Sequence, residues 1–361
     1  MLASAFNSYA VILATLLALI VALIALILIV ASVVRMLIPR PILITFAYSH
    51  YCEVARWALE HSGVRFTEWK ISVGPHVFIV PLLRLIFSMT EYDDDDLATS
   101  FPGSNRNFPW WHIHGMRHLR RLNAVPLLIT EAGESVTTSW AILKRCGFRV
   151  DPELRLSLDH AVGPSARLIA YHRVFEHAPS LYRELQSCET WLEMRLFDAV
   201  ERAFCVSSSL RRLLSVNEQG AADAADALRA HFAALSETTL ASDPYLGSGD
   251  GAEAFGGADL AWSSLVAPLL MPPRYSNGVV TRVPDPTELG PRYTALREEL
   301  LSTRAGKHAM RCYEEHRLLA AATARSEEAV GEAKANAAAS AVPQTDEQTE
   351  QAVEPPHAKE E

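Results

Sequence analysis

Residues 46–63 read FAYSHYCEVARWALEHSG. Just upstream, ILITFA (Ile42–Ala47) is a short apolar run of the kind that forms a buried strand. Beyond it, Val54, Trp57, Ala58 and His61 recur at helical spacing until Gly63, a residue that ends helices. A strand therefore turns into a helix within a few residues, and Tyr48, Ser49, His50, Tyr51 and Cys52 lie in the turn. A helix amino terminus presents N–H groups without intrahelical partners and about half a positive charge, which together stabilise an anion such as a thiolate. A serine hydroxyl at that terminus can donate a further hydrogen bond to the sulfur, or it can serve only as the helix cap. Ser49-His-Tyr-Cys52 keeps the second cysteine of a CxxC redox turn without the first, so Cys52 is expected to be packed rather than to act as an accessible nucleophile. His50 is expected at the surface beside the turn.

Working outward, FTEWKI gives a second strand, AVPLLIT (Ala124–Thr130) a third, and SVTT a fourth after the turn at Glu131–Gly133. The helix SWAILKRC closes the series. Strand, helix, strand, hairpin and helix is the order of a thioredoxin-like α+β domain, expected over residues 41–150. From Asp151 the strand signals fade into long Ala-, Leu- and Arg-rich helical stretches, so an all-α domain is expected over 151–324. Residues 325–361 are acidic, polar and poor in aromatics, and are expected to be a disordered tail.

The 361 residues are 49% apolar and 21% charged, enough for about two folded domains. The net charge of −9 argues against nucleic acid as a partner, because duplex binding needs clustered Lys and Arg. Five cysteines, at 52, 146, 188, 205 and 312, have irregular spacing and an odd count, which suggests neither a disulfide framework nor a zinc pair. A reducing compartment follows. Val11–Val34 (VILATLLALIVALIALILIVASVV) carries no charge. At about 1.5 Å per residue it extends roughly 36 Å, enough to cross a ~30 Å hydrocarbon core. A cleaved signal peptide would need a basic start, and MLASAFNSYA has none. Residues 1–38 are therefore expected to be a single-pass transmembrane anchor, and Arg35 and Arg40 place the following domains on the cytosolic face of a membrane whose organelle stays open.

From about Pro41 to Leu319 the chain resembles the glutathione transferases. YSHYCEVARWAL is similar to their active-site turn and first helix, AVPLLIT to the strand headed by a cis proline, and ESVTTSWAIL to the segment that holds the glutamyl end of glutathione. FGGADLAWSSLVAPLL resembles their capped carboxyl-terminal-domain helix, in which Asp259 has a folding role, and RAGKHAMRCYEEHR resembles a closing helix. The resemblance implies glutathione as co-substrate and no metal. It implies that Ser49 ionises and aims the glutathione thiol, with His50 beside it. Val125 and Pro126 would meet the cysteinyl part of the tripeptide, and Thr138 and Ser139 the glutamyl end. Family members commonly carry Asp or Glu where this chain has Thr138, so a charge-assisted bond worth about 1.5–3 kcal/mol is lost.

A second departure is the insert 72–123, with the apolar stretch VFIVPLLRLIF, the acid run EYDDDD and the aromatic-basic stretch NRNFPWWHIHGMRHLRR. The first is too short to span a bilayer and reads either as a helix packed on the domain or as an interfacial segment. His112, His114 and His118 lack the neighbouring ligands that a zinc site needs, and Trp110 and Trp111 beside Arg117, Arg120 and Arg121 suit a headgroup interface. Two functions stay open. One is a membrane-anchored transferase that conjugates or reduces hydrophobic electrophiles with glutathione. The other is a non-catalytic scaffold on the same fold, serving membrane or protein contacts. The partners expected are a membrane, glutathione and a hydrophobic small-molecule electrophile; a homodimer is left open.

Overall fold

The computed structural model describes residues 32–33, 41–72, 76–91, 124–177, 191–214, 216–247, 254–275 and 285–317. The anchor expected over 1–38, apart from 32–33, lies outside the described residues, as do 73–75 and 92–123 of the insert and the tail expected over 325–361. Among the described residues no helix is long and apolar enough to cross a membrane.

Five strands form one sheet: β1 (Ile42–Thr45), β2 (Thr67–Lys70), β3 (Ser88–Glu91), β4 (Leu127–Ile129) and β5 (Glu134–Thr137), in the spatial order β2-β1-β4-β5-β3. β1 runs parallel to β2 and antiparallel to β4, and β4 is antiparallel to β5. Without β3 this is the thioredoxin-type order. All four residues of β1 are buried because both faces of the sheet are covered. On one face Ile42 and Ile44 meet Val80, Leu83, Ile86 and Phe87 of α2 (His76–Ile86) and the residue after it. On the other, Leu43 meets Ala55 and Leu59 of α1 (His50–His61) and Ile142 of α3 (Ser139–Arg145).

The apolar stretch at the start of the insert is thus a packed helix of the domain: its Arg84 is buried, and Leu82, 55% exposed, faces out. β3, absent from the expected order, follows it and pairs parallel with β5 at the sheet edge.

The helical part contains α4 (Pro152–Ser157), a π-helical turn over Leu158–Val162, α5 (Gly163–His177), α6 (Trp191–Phe204), α7 (Val206–Leu213), α8 (Glu218–Glu237) and the short α9 (Thr239–Ser242). It is completed by α10 (Gly257–Leu270), α11 (Pro291–Ser302) and α12 (Arg304–Glu315). All residues of α10 are buried, so it is the axis about which the other helices pack. Its first turn is fixed by Asp259: Oδ2 accepts from Gly256 N at 2.9 Å, and Oδ1 from Leu246 N and from His308, each at 2.8 Å. A side chain on Gly257 would come within 2.5 Å of the Arg149 carbonyl, so glycine lets the segment after α3 cross there.

α1 lies between sheet and helices. Ala55 and Leu59 face the sheet; Val54, Trp57 and Ala58 join the core of the helical part. A chain of buried charges crosses the same boundary. Arg56 bonds Glu53 at 2.5 Å and both oxygens of Glu68 at 3.0 Å, and Thr45 Oγ1 donates to Glu68 at 2.5 Å. Arg317, just beyond α12, bonds Glu53 at 3.1 Å and pairs with Glu60, while the Tyr313 hydroxyl donates to Glu53 at 3.3 Å. Burial alone would lower the pKa of Arg56, but Glu53 and Glu68 outweigh it and hold the guanidinium charged.

Removing one partner from such a network strands an uncompensated charge. Glu53→Ala should therefore cost about 3–5 kcal/mol in denaturant unfolding. Glu299→Ala, which breaks the exposed pair with Arg229, should cost about 1 kcal/mol or less. Equal small losses would contradict a structural role for the buried network.

Candidate functional site

The sheet register gathers the residues singled out in the sequence at one end. Ile44 lies opposite Leu127, so Val125–Pro126 enters the sheet beside the end of β1 and the turn that follows it. Leu127 also lies opposite Thr137, which carries Thr138 to Pro126; Thr138 N donates to the Pro126 carbonyl at 3.3 Å. The Val125–Pro126 peptide is cis.

Ser49 is half-buried and caps α1. Its Oγ accepts from Cys52 N at 3.3 Å, and its carbonyl accepts from Glu53 N at 2.9 Å. The capping bond uses an oxygen lone pair, so cap and donor roles are compatible: a hydroxyl that accepts from a backbone N–H still carries a proton to give. Cys52, one turn in, is fully buried, with Phe46 N directed at its Sγ at 3.4 Å. Burial pushes its thiol up to about 11, against the smaller opposing effects of Ser49 and the Phe46 N–H. It is a protonated core thiol at neutral pH, and the positive end of α1 is not compensated by a thiolate of the chain's own.

His50 departs from expectation. It is buried, not at the surface, with Nε2 at 3.0 Å from the Gly163 carbonyl of α5. Burial and then the Arg167 charge lower its pKa to about 3, so the neutral ring donates through Nε2. It ties the turn to the helical part. Tyr51 lies over the same glycine: a Cβ on Gly163 would come within 2.4 Å of its hydroxyl. Tyr275, after α10, donates to the carbonyl of Tyr48 at 2.6 Å. No pattern in the sequence pointed to Tyr275 or Gly163, whose partners are distant in the chain.

Thr138 has φ 78° and ψ 147°, a left-handed-side conformation that a β-branched residue rarely adopts. It caps α3, with Oγ1 accepting from Ala141 N at 3.2 Å, and Ser139 is buried in the first turn. These five residues therefore occupy one end of the sheet: Ser49 at the start of α1, Val125 and Pro126 at the start of β4, and Thr138 with Ser139 at the start of α3.

Among the described residues two groups place possible metal ligands close together. Asp259, His308 and Cys312 are buried, and Asp259 is engaged by the capping bonds given above. His172, Glu176 and Glu218 join α5 to α8, and their carboxylates pair with Arg173 and Arg292. His112, His114 and His118 lie outside the described residues.

No family model and no curated protein matches the chain. Solved structures do. A glutathione transferase, GSTFuA3 from Phanerochaete chrysosporium, is 16% identical over 77% of this chain and 97% of its own, with a TM-score of 0.42. FzlA from C. crescentus is 14% identical over 75% and 92%, with a TM-score of 0.31. A glutathione transferase homologue from Sulfitobacter, solved with bound glutathione, is 12% identical over 75% and 96%, with a TM-score of 0.27. At these identities the likeness is one of fold.

Two measurements check the electrostatics of the turn. Among the described cysteines, thiol labelling at neutral pH should modify exposed Cys205 first and half-buried Cys146 more slowly, whereas Cys52 and Cys312 should react only on unfolding; rapid labelling of Cys52 would contradict its burial. For His50 the folded pKa of about 3 lies below the ordinary 6.5, so the unfolded chain takes up the proton first. Its contribution to stability should be full above pH ~6.5 and decline as pH falls towards ~3. His50→Gln, which keeps a donor without titrating, should flatten the stability curve in that window; an unchanged slope would remove His50 as its source.

Proposed function

We propose that the chain is a glutathione-dependent transferase that conjugates or reduces hydrophobic electrophiles and is held on a membrane by Val11–Val34, with its folded part on the cytosolic side. The observation that carries this reading is the convergence of Ser49, Val125–Pro126 and Thr138–Ser139 on one end of the sheet through the register of β1, β4 and β5. An extended tripeptide laid along that edge meets a hydroxyl and a helix amino terminus at its thiol, a backbone edge at Val125 in its middle, and a second helix start at its far end.

In this reading the Ser49 hydroxyl donates to the sulfur while the unpaired N–H groups at the start of α1 stabilise its negative charge. The thiol proton leaves to solvent. The thiolate then attacks the electrophile, an S–C bond forms, and the leaving group departs with its bonding pair. Cys52 takes no part, since its sulfur is buried and protonated. His50 acts on position alone, through its bond to Gly163.

A second reading, a scaffold without catalysis, has one specific observation in its favour. Thr138 supplies no carboxylate for the glutamyl ammonium, and its Oγ1 is engaged in capping α3.

Calorimetric titration with glutathione separates the two. The wild-type chain should bind weakly. Thr138→Glu, which supplies the missing charge beside Ser139, should bind about ten times more tightly, the size of one charge-assisted bond. Ser49→Ala should lower turnover far more than stability, whereas Cys52→Ser should keep most of it. No binding by wild type or Thr138→Glu, with the fold intact by circular dichroism, would leave the scaffold. For the membrane, protease added to intact organelles should digest the carboxyl-terminal tail; complete protection would reverse the orientation.

A further inference from the structure

Away from the sheet, α4, the π-helical turn and α5 form one continuous helix: Ser157 and Gly163, on either side of the turn, both have right-handed helical dihedrals. Pro164 explains the interruption. In a regular α-helix its ring would clash with the carbonyl four residues back, and a wider π turn just before it, closed by Gly163 N–H on the Leu158 carbonyl, eases that clash. A turn of this kind displaces its side chains from regular α-helical register.

A cavity of about 140 Å³ lies at this turn, between it, α8 and α10. Its apolar lining comes from Leu154, Leu158, Val162, Leu235 and Trp262. Leu158, Val162 and Trp262 are almost fully buried, so they form its inner wall. Three polar side chains also line it: Thr238, whose Oγ1 donates to the Ala234 carbonyl at 2.7 Å, and Ser157 and His231, whose Oγ and Nδ1 are 3.3 Å apart across the gap between the end of α4 and α8. Burial lowers the pKa of His231, which keeps the ring neutral. No lining residue is an Asp, Glu, Lys or Arg.

Size and chemistry narrow the occupant. An apolar cavity of about 150 Å³ holds one benzene ring, whereas drug-sized ligands need roughly 300 Å³ or more. An ion would enter without a counter-charge and with its hydration lost. A hydroxyl on the ring, by contrast, can join the Ser157–His231 pair, which has both donor and acceptor capacity.

We propose that the cavity at the π turn is a binding site for a small, neutral, single-ring molecule bearing a hydroxyl, a simple phenol, with its ring among Leu158, Val162, Leu235 and Trp262 and its hydroxyl on Ser157 and His231. The site is separate from the sheet-edge site and does not depend on glutathione chemistry.

Titration of the full chain with phenol, benzene and benzoate, followed by calorimetry and ligand-observed NMR, tests it. Phenol should bind at one saturable site, about five- to tenfold more tightly than benzene, the ratio expected for one hydrogen bond. Benzoate should not compete. Ser157→Ala should bring phenol down to the level of benzene and leave benzene unchanged. Leu235→Trp should fill the cavity and abolish binding of both. Ala234→Met, at an exposed position on the rim, does the same with less risk to folding. Non-saturable uptake, equal affinity of phenol and benzene for wild type, or binding that survives both filling variants would each overturn the proposal.

Discussion

Glu53 is the residue on which the arrangement depends. It is fully buried in the first turn of α1, and it receives Arg56 from its own helix, Tyr313 from α12 and Arg317 from just beyond it. Through Arg56 the same network reaches Glu68 and Thr45 on the two strands that flank the helix. Hydrophobic packing presses α1 between sheet and helices without direction, but this network fixes its rotation and axial position, because each hydrogen bond fails if the helix slides by half a turn. The start of α1 is where Ser49 sits, so the network sets the position of the candidate site from one turn away.

Two further ties act on the turn itself. Tyr275 holds the Tyr48 carbonyl, and His50 reaches the Gly163 carbonyl. Each comes from a different segment of the helical part, and both engage residues adjacent to Ser49. In the proposed function the Ser49 hydroxyl needs this support, since an error of about 1 Å in position can cost two orders of magnitude in rate. The same ties explain the division of labour among the residues of the turn. His50 and Cys52 are buried in the protein, which leaves Ser49 half-buried at the start of the helix.

β1, β2, β4, β5 and α1 were legible in the sequence, and β3 was not, because the periods of strand and helix differ and α1 carries strong end signals, Ser49 at its start and Gly63, with φ 68°, just past its end. The role of VFIVPLLRLIF was not: an apolar helix packed on a sheet and one lying on a membrane have the same composition, and only the contacts of Val80 and Leu83 with Ile42 and Ile44 distinguish them. Glu53, Arg56 and Glu60 are spaced three and four apart, a pattern that by itself does not separate a solvated helix face from a buried network. Their burial is decided by Arg317, 264 residues from Glu53 in the chain, and no local pattern carries that information. His50 was misplaced for the same reason, its partner Gly163 being 113 residues away. The π turn had a local cause in Pro164 that spacing alone did not expose.

In the proposed function the turn lowers the pKa of a thiol belonging to a ligand and not that of Cys52. The direct measurement is the pH titration of thiolate ultraviolet absorbance for glutathione in complex with the protein, taken as the difference from the ligand-free Cys52→Ser chain so that the remaining cysteines cancel and the ligand's sulfur is followed. The account predicts thiolate appearing at least one pH unit below a free thiol's ordinary value of about 8.5, and returning to that value in Ser49→Ala. Glutathione that binds but titrates as it does free in solution would contradict it.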